Sequence, residues 1–169
     1  MIGLNVKSYC SSVPSKTILL KEGEVADRLY LIRKGCLRMF FNNDGTDVTF
    51  QFFFEDDFVA SLDSLHKRTP SLFGLESIEP TELEIIERDD FYALIDSDLS
   101  SRQLYEDKLV DRFYAYQQLF LSVIKETPQQ RYEKLVRERP DIIQRIPQHY
   151  IASYIGVTPV SLSRIRNRR

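Results

Sequence analysis

Between residues 16 and 86 short apolar or alternating runs are punctuated by turn residues. Runs at 17–20, 29–32, 37–41, 48–54, 73–78 and 82–86 are separated by Gly23, Gly35, the Asn42-Asn43-Asp44-Gly45 turn and Pro70. That length and spacing predict strands of an antiparallel sandwich or barrel, read here as a jelly roll. Phe50, Phe52 and Phe54 recur with period two, which predicts three rings on one strand face. Such rings either fill a core or line a ligand cavity.

From residue 100 the period becomes helical. Tyr105, Leu109, Phe113, Tyr116, Phe120 and Val123 recur at steps of four, four, three, four and three, an apolar stripe about 27 Å long. Glu106, Lys108, Asp111 and Arg112 flank it, and Val110, Leu119, Leu121 and Ile124 widen it. One reading packs this helix on the sheet of its own chain. The width predicts a helix over 100–126 that also serves a second copy, as a homodimer helix. Thr127 and Pro128 break it, and a further helix over 128–137 ends before Pro140.

The segment 148–169 carries the most specific spacing. With Gln148 as its first position, Ile151 and Ile155 form the inner face of one helix, and Ala152 is small where two helices cross. Gly156 falls at the sharp turn, with Val157 plugging it. Thr158 is a good N-cap and Pro159 suits the first helical position, so a second helix starts there with Leu162 and Ile165 inward. Ser161, Arg164, Asn167 and Arg168 remain outward, with Arg166 and Arg169 nearby, and these are donors suited to phosphates and base edges. The plainer alternative is a helical hairpin with solvated arginines.

Charge sharpens that picture. The net charge of −2 hides nine Lys or Arg against three Asp or Glu from residue 127 onward, and 144–169 holds five arginines and no acid. Double-stranded DNA is therefore the expected partner, bound more weakly as salt rises. Hydrophobic residues at 43% and charged residues at 28% describe an ordinary globule rather than a disordered chain. No run approaches the roughly 18 apolar residues of a membrane span, and residues 1–14 lack a signal peptide's apolar core, so a cytoplasmic protein without membrane contact is expected. Cys10 and Cys36 lack CxxC spacing, and His66 and His149 are far apart, so no metal or other cofactor is expected.

The order of parts resembles the Crp/Fnr regulators over nearly the whole chain. The likeness is carried by Gly23-Glu24, Asp27, Leu29-Tyr30-Leu31-Ile32, Gly35, Asp44-Gly45 and Asp57-Phe58. It continues through Ile146-Pro147-Gln148, Ile151-Ala152 and Ser161-Leu162-Ser163-Arg164-Ile165. The resemblance implies an α+β chain: a β-roll sensor domain over 1–99, a dimerisation helix over 100–126 and a helix-turn-helix DNA-binding domain over 127–169. It further implies a dimeric transcription factor whose second helix enters the major groove and which contacts RNA polymerase elsewhere. Gln148, Thr158, Pro159, Ser161, Arg164, Arg166, Asn167, Arg168 and Arg169 form the expected DNA-binding set, with Arg164 and Ser161 where the family commonly touches bases or phosphates.

Two departures qualify the resemblance. Members that bind cyclic nucleotides hold the phosphate with an Arg-Ser pair and the ribose with a Glu, and alignment on Asp57-Phe58 puts Ser71-Leu72 and Ser61 at those places. Neither place can pair a phosphate bidentately, and Arg68 comes three residues early. The expected effector is thus an unidentified small molecule other than cyclic AMP, or none, with Phe50, Phe52, Ser61, Ser71 and Phe73 as the candidate pocket. The four cysteines of the oxygen-sensing branch are missing. The sequence also stops at Arg169, before the family's β-hairpin wing, so the expectation is a wingless reader in which Arg166, Arg168 and Arg169 supply part of the lost backbone attraction. The competing reading is a ligand-binding module for a cyclic nucleotide or another metabolite, acting through protein-protein contacts. An enzyme would need clustered His and carboxylate ligands on the strands, where His66 stands alone.

Overall fold

The computed structural model describes residues 6–167. Its strands are β1 (Tyr9–Val13), β2 (Ile18–Leu20), β3 (Arg28–Lys34), β4 (Leu37–Asn43), β5 (Thr46–Phe53), β6 (Phe58–Val59), β7 (Gly74–Ser77) and β8 (Thr81–Glu87). A short helix, α1 (Leu62–Lys67), separates β6 from β7. The helices α2 (Arg88–Ser97), α3 (Leu99–Lys125), α4 (Pro128–Glu138), α5 (Pro140–Arg145), α6 (Gln148–Tyr154) and α7 (Pro159–Asn167) follow. The strands pair antiparallel in two four-stranded sheets, ordered β1-β8-β3-β6 and β2-β7-β4-β5, the roll expected of an α+β chain.

Between the sheets, Leu29, Ile32, Leu37, Met39, Phe53, Val59, Leu75, Leu83 and Ile86 form an apolar core. A β-bulge then changes what β5 can do. Met39 pairs with Gln51 while Phe40 pairs with Thr49, which leaves Phe50 as the extra residue. Phe50 and Phe53, three apart, both pack with the inner core, whereas Phe52 and Phe54 join a second cluster outside the roll. The expectation of three rings on one face is corrected here: the bulge shifts the alternation by one residue, so Phe50 parts from Phe52 and Phe54.

That second cluster joins Cys36, Phe52, Phe54 and Ile78 of the roll to Tyr132, Leu135, Ile142, Ile146, Ile151, Ala152, Ile155 and Leu162 of the terminal helices. The outer face of the second sheet is therefore covered around Arg38, Thr49, Phe52 and Glu76, and α6 lies along β5. The terminal helices form a third layer on the roll.

Local chemistry sets the helix ends. The Asp98 carboxylate accepts the Ser101 N–H at 2.8 Å and starts α3. Thr127 and Gln130 form a reciprocal capping box at the start of α4, with Pro128 at the first helical position. Helix α2, unforeseen in the strand-rich reading of 1–99, packs against α3 and carries Phe91 into the roll core.

Gly35 begins the close approach of β4 to β8. Its φ is +104°, and a Cβ there would lie 2.6 Å from Thr81 Oγ1 and 2.8 Å from the Pro80 carbonyl and Thr81 Cα. Gly35→Ala is expected to cost about 3 kcal/mol, from the strained backbone and the overlap together. Urea unfolding measures this, and an unchanged midpoint would mean the strand start can shift freely.

Candidate functional site

The end of the chain folds as its sterics require. Ala152 is fully buried where α6 crosses α7, and its carbonyl accepts the Val157 N–H at 2.9 Å. Gly156 takes a φ of +75°, open to glycine at no steric cost. The Thr158 hydroxyl accepts the Ser161 N–H at 3.2 Å and lies 3.0 Å from the Ser161 hydroxyl, capping α7. Leu162 is buried and Ile165 packs beside it, while Gln148, Thr158, Pro159, Arg164, Arg166 and Asn167 face solvent and Ser161 is half-buried. Arg168 and Arg169 lie outside the described residues.

The face of α6 turned away from solvent is held on the roll by charge and rings. Arg38 of β4 is 2% exposed. Its Nε donates to Glu76 at 2.5 Å, Nη1 to the Thr49 hydroxyl at 3.0 Å and Nη2 to Asp47 at 3.2 Å. The guanidinium lies between the rings of Phe40, at 4.1 Å, and Tyr150 of α6, at 4.2 Å. Next to it the Thr49 N–H donates to the Ser153 hydroxyl at 3.1 Å, and Phe52 meets Tyr154 at 5.1 Å between centroids. Burial pushes the Tyr154 hydroxyl pKa up, and burial with the Arg38 charge pushes His149 down.

A second clamp sits at the other end of the interface. Arg145 of α5 donates to both Glu55 oxygens at 2.8 Å and also to Glu79. Glu55 in turn accepts the Gly35 N–H at 2.8 Å. Among the described residues no buried side-chain nitrogen or oxygen lacks a partner, which is what such a polar interface requires.

The long helix is two-sided. Tyr105 packs edge-to-face on Phe91, Leu109 turns toward the roll beside it, Arg112 donates to the Phe58 carbonyl at 2.6 Å, and the Tyr116 hydroxyl reaches Met39 sulfur at 4.0 Å. Of the expected dimer stripe, Tyr105, Leu109 and Tyr116 thus turn toward the chain's own roll, while Phe113, Phe120 and Val123 are exposed. The exposed seam follows a strict seven-residue repeat, Val110, Gln117 and Ile124 alternating with Phe113 and Phe120. That exposed repeat runs beside the stripe that starts at Tyr105.

Inside the roll, Phe50 meets Phe73 edge-to-face at 5.3 Å. The buried Ser71 hydroxyl lies 2.8 Å from that of Ser61 and 2.7 Å from the Phe73 carbonyl. Phe50, Ser61, Ser71 and Phe73 thus form one connected group. Phe52 does not join it, and its place in the candidate pocket is corrected: the bulge turns it outward onto Tyr154. Arg68 also points elsewhere, donating to the Ala26 carbonyl at 3.3 Å and lining a charged cleft with Asp27, Glu87, Arg88 and Asp89.

The family model for the cyclic nucleotide-binding domain matches residues 11–98, more than half of the sequence. The chain belongs to this family. No curated protein matches the sequence. Among solved structures it is similar to FixK2 from Bradyrhizobium japonicum, at 16% identity and a TM-score of 0.80, over 96% of this chain and 84% of that one. It is similar to the c-di-GMP responsive global regulator CLP of Xanthomonas campestris, at 18% identity and a TM-score of 0.73, over 95% and 86% of the two chains. A protein of Eubacterium rectale described as a transcriptional regulator of the Crp/Fnr family gives 16% identity and a TM-score of 0.76, over 95% and 77%. Each likeness spans the roll, the long helix and the terminal helices, and at these identities it concerns the fold.

Within the cyclic nucleotide-binding family this member is neutral where the resemblance places the phosphate grip. Ser61 and Ser71 turn their hydroxyls to each other, and Leu72, beside Ser71, is 77% exposed. Among the described residues no cluster of His, Cys, Asp or Glu could hold a metal, and no helix is long and apolar enough to cross a membrane. Sequence reasoning missed Arg38, Arg145 and Tyr150, which answer Glu76, Glu55 and Arg38 far along the chain.

The Arg145 clamp has a measurable acid limit. The hydrogen bond from Arg145, with that from the Gly35 N–H, holds the Glu55 carboxyl at about 2, below its ordinary 4.5. Because the folded value is depressed, the clamp contributes fully above about pH 4.5 and is lost as the pH falls toward 2. In Arg145→Ala, NMR titration of the Glu55 carboxylate is expected to move back toward 4.5. A carboxylate still titrating near 2 would assign its depression to the backbone donor.

Proposed function

We propose that this chain is a dimeric, DNA-binding transcription regulator of the Crp/Fnr type, acting in the cytoplasm by binding rather than by catalysis. The observation that carries the reading is the outward face of α7. Arg164, Arg166 and Asn167 are exposed on a helix whose inner residue, Leu162, is fully buried against a docked neighbour. A rigid helix with a cationic, hydrogen-bonding outer face fits the major groove, where Arg reads guanine edges bidentately. Gln148, Thr158, Pro159 and Ser161 are assigned to the same contact surface, with Arg168 and Arg169 as further phosphate contacts. The exposed seam of α3 is assigned to a second copy, because paired seams bury the apolar surface left open and carry two α7 helices to half-sites about 34 Å apart. Contact with RNA polymerase follows from the family resemblance.

The roll is assigned an effector other than cyclic AMP, or none. A cyclic phosphate carries a full negative charge, and the Ser61–Ser71 pair offers it no cation. Cyclic AMP is expected to give no binding heat in calorimetric titration of the purified protein, and micromolar affinity would overturn this assignment.

Selection of bound fragments from random duplex DNA at several salt concentrations tests the main reading. A palindrome is expected, with affinity falling steeply as salt rises. Arg164→Ala is expected to weaken binding to the selected duplex at least about tenfold, as loss of one base contact does. Its sedimentation should remain that of a dimer. A gel-shift titration with unchanged affinity would remove Arg164 from the reading helix's contact set.

A further inference from the structure

We propose that Arg131 of α4 is the positioning residue that ties the dimer helix to the turn before the reading helix, an inference that rests on the DNA-binding reading above. Its Nη1 donates to the Glu126 carbonyl at 2.6 Å, while Nε and Nη2 donate to the Ile155 carbonyl at 3.0 and 2.8 Å. Glu126 is the C-cap of α3 and Ile155 the C-cap of α6. Carbonyls at helix ends lack intrahelical partners and carry the negative end of the helix dipole, so a half-buried cation suits both at once.

The surroundings make this bond a joint rather than one contact among many. Between α3 and the terminal helices runs a cleft of about 280 Å³, with Ala115, Gln118 and Leu119 on one wall and Leu135, Tyr154 and Ile155 on the other. Arg131 lines it. Lys134 also reaches Glu126, through the carboxylate at 3.5 Å, but that contact stops at α4 and the end of α3. Because the guanidinium is planar and its N–H directions are fixed, a rotation of α3 that moves the Glu126 carbonyl moves Ile155 with it. The next residue is Gly156, whose left-handed backbone is the bend from which α7 leaves, and a Cβ there would sit 3.5 Å from Arg131 Nη2. The apolar packing of Tyr132 and Leu135 on α6 and α7 holds these helices together, and the Arg131 guanidinium adds to it a directional polar link from the end of α3 to the turn before the reading helix. Lysine, with one ammonium on a flexible stem, cannot hold both carbonyls in the same frame.

The role predicts a loss of spacing discrimination rather than a uniform loss of affinity. The probes are the palindrome that the wild-type protein selects from random duplex, together with versions whose half-sites are one base pair closer or farther apart. The wild-type dimer is expected to discriminate among them by about tenfold or more, and Arg131→Lys by less than about threefold. Dimerisation and the slope of affinity against salt should stay unchanged, because no phosphate contact is removed. A folded Arg131→Lys protein that keeps wild-type spacing discrimination overturns the proposal.

A second measurement needs no variant. In the wild-type protein the Arg131 Nε proton is expected to exchange with water more slowly than that of exposed Arg166 in ¹⁵N-resolved spectra, and equal rates overturn the bridge even where Arg131→Lys fails to fold. Failure of the DNA reading is distinguishable: the wild-type protein would then select no duplex at low salt, and the joint's role in spacing falls with it, whatever the exchange rates show.

Discussion

Arg38 sits on the outer face of a strand, where a sandwich ordinarily meets water, and it has been taken out of water. A guanidinium there without partners would cost several kcal/mol. Glu76, Thr49 and Asp47 answer its N–H groups, and Phe40 covers one face of the plane. The other face is covered by Tyr150, which belongs to α6 at the far end of the chain. Docking of the terminal helices thus completes the desolvation of a charge the roll cannot bury alone. The seating of α6 on β5 rests on that arrangement together with the apolar cluster beside it.

Much of the fold was legible because its causes are local. The apolar runs that became β3, β4, β5 and β8 carry their burial in their own residues, and Ala152, Gly156 and the Thr158-Pro159 start are steric requirements of a tight helical corner. Elements without such signals escaped. Tyr9–Val13 is largely polar, Phe58–Val59 is two residues long, and α2 opens with Arg88-Asp89-Asp90 and reads as surface. The run Phe52-Phe53-Phe54 did carry an overlooked sign: consecutive apolar residues belong to a strand buried on both faces, whereas strict alternation belongs to one half-exposed. The working arginines were illegible for a different reason. Arg38 answers Glu76, Arg145 answers Glu55 and Arg131 answers a backbone carbonyl at residue 155, and none of these pairings leaves a local pattern.

The long helix shows how one element can be shared. Tyr105, Leu109, Arg112 and Tyr116 are committed to the roll, and none of the residues of α3 is fully buried by this chain. Among its exposed side chains Val110, Phe113, Phe120 and Ile124 stand in a seven-residue register with Gln117 at the centre, and a polar group in such a seam favours one alignment of paired helices over its neighbours. A helix held on one side by its own domain and open on the other passes any change in its tilt to whatever hangs from its end, which here is the Glu126 carbonyl and the guanidinium bonded to it.

The extra residue at Phe50 has a mechanical consequence. By re-phasing β5 it lets one strand pack Phe50 and Phe53 with the inner core while offering Phe52 and Phe54 as the floor beneath the terminal helices. Close-packed interiors do not yield locally. A change of side-chain volume at Phe50 or Phe53 is therefore felt in the same backbone that sets the height of Phe52 and Phe54 beneath α6.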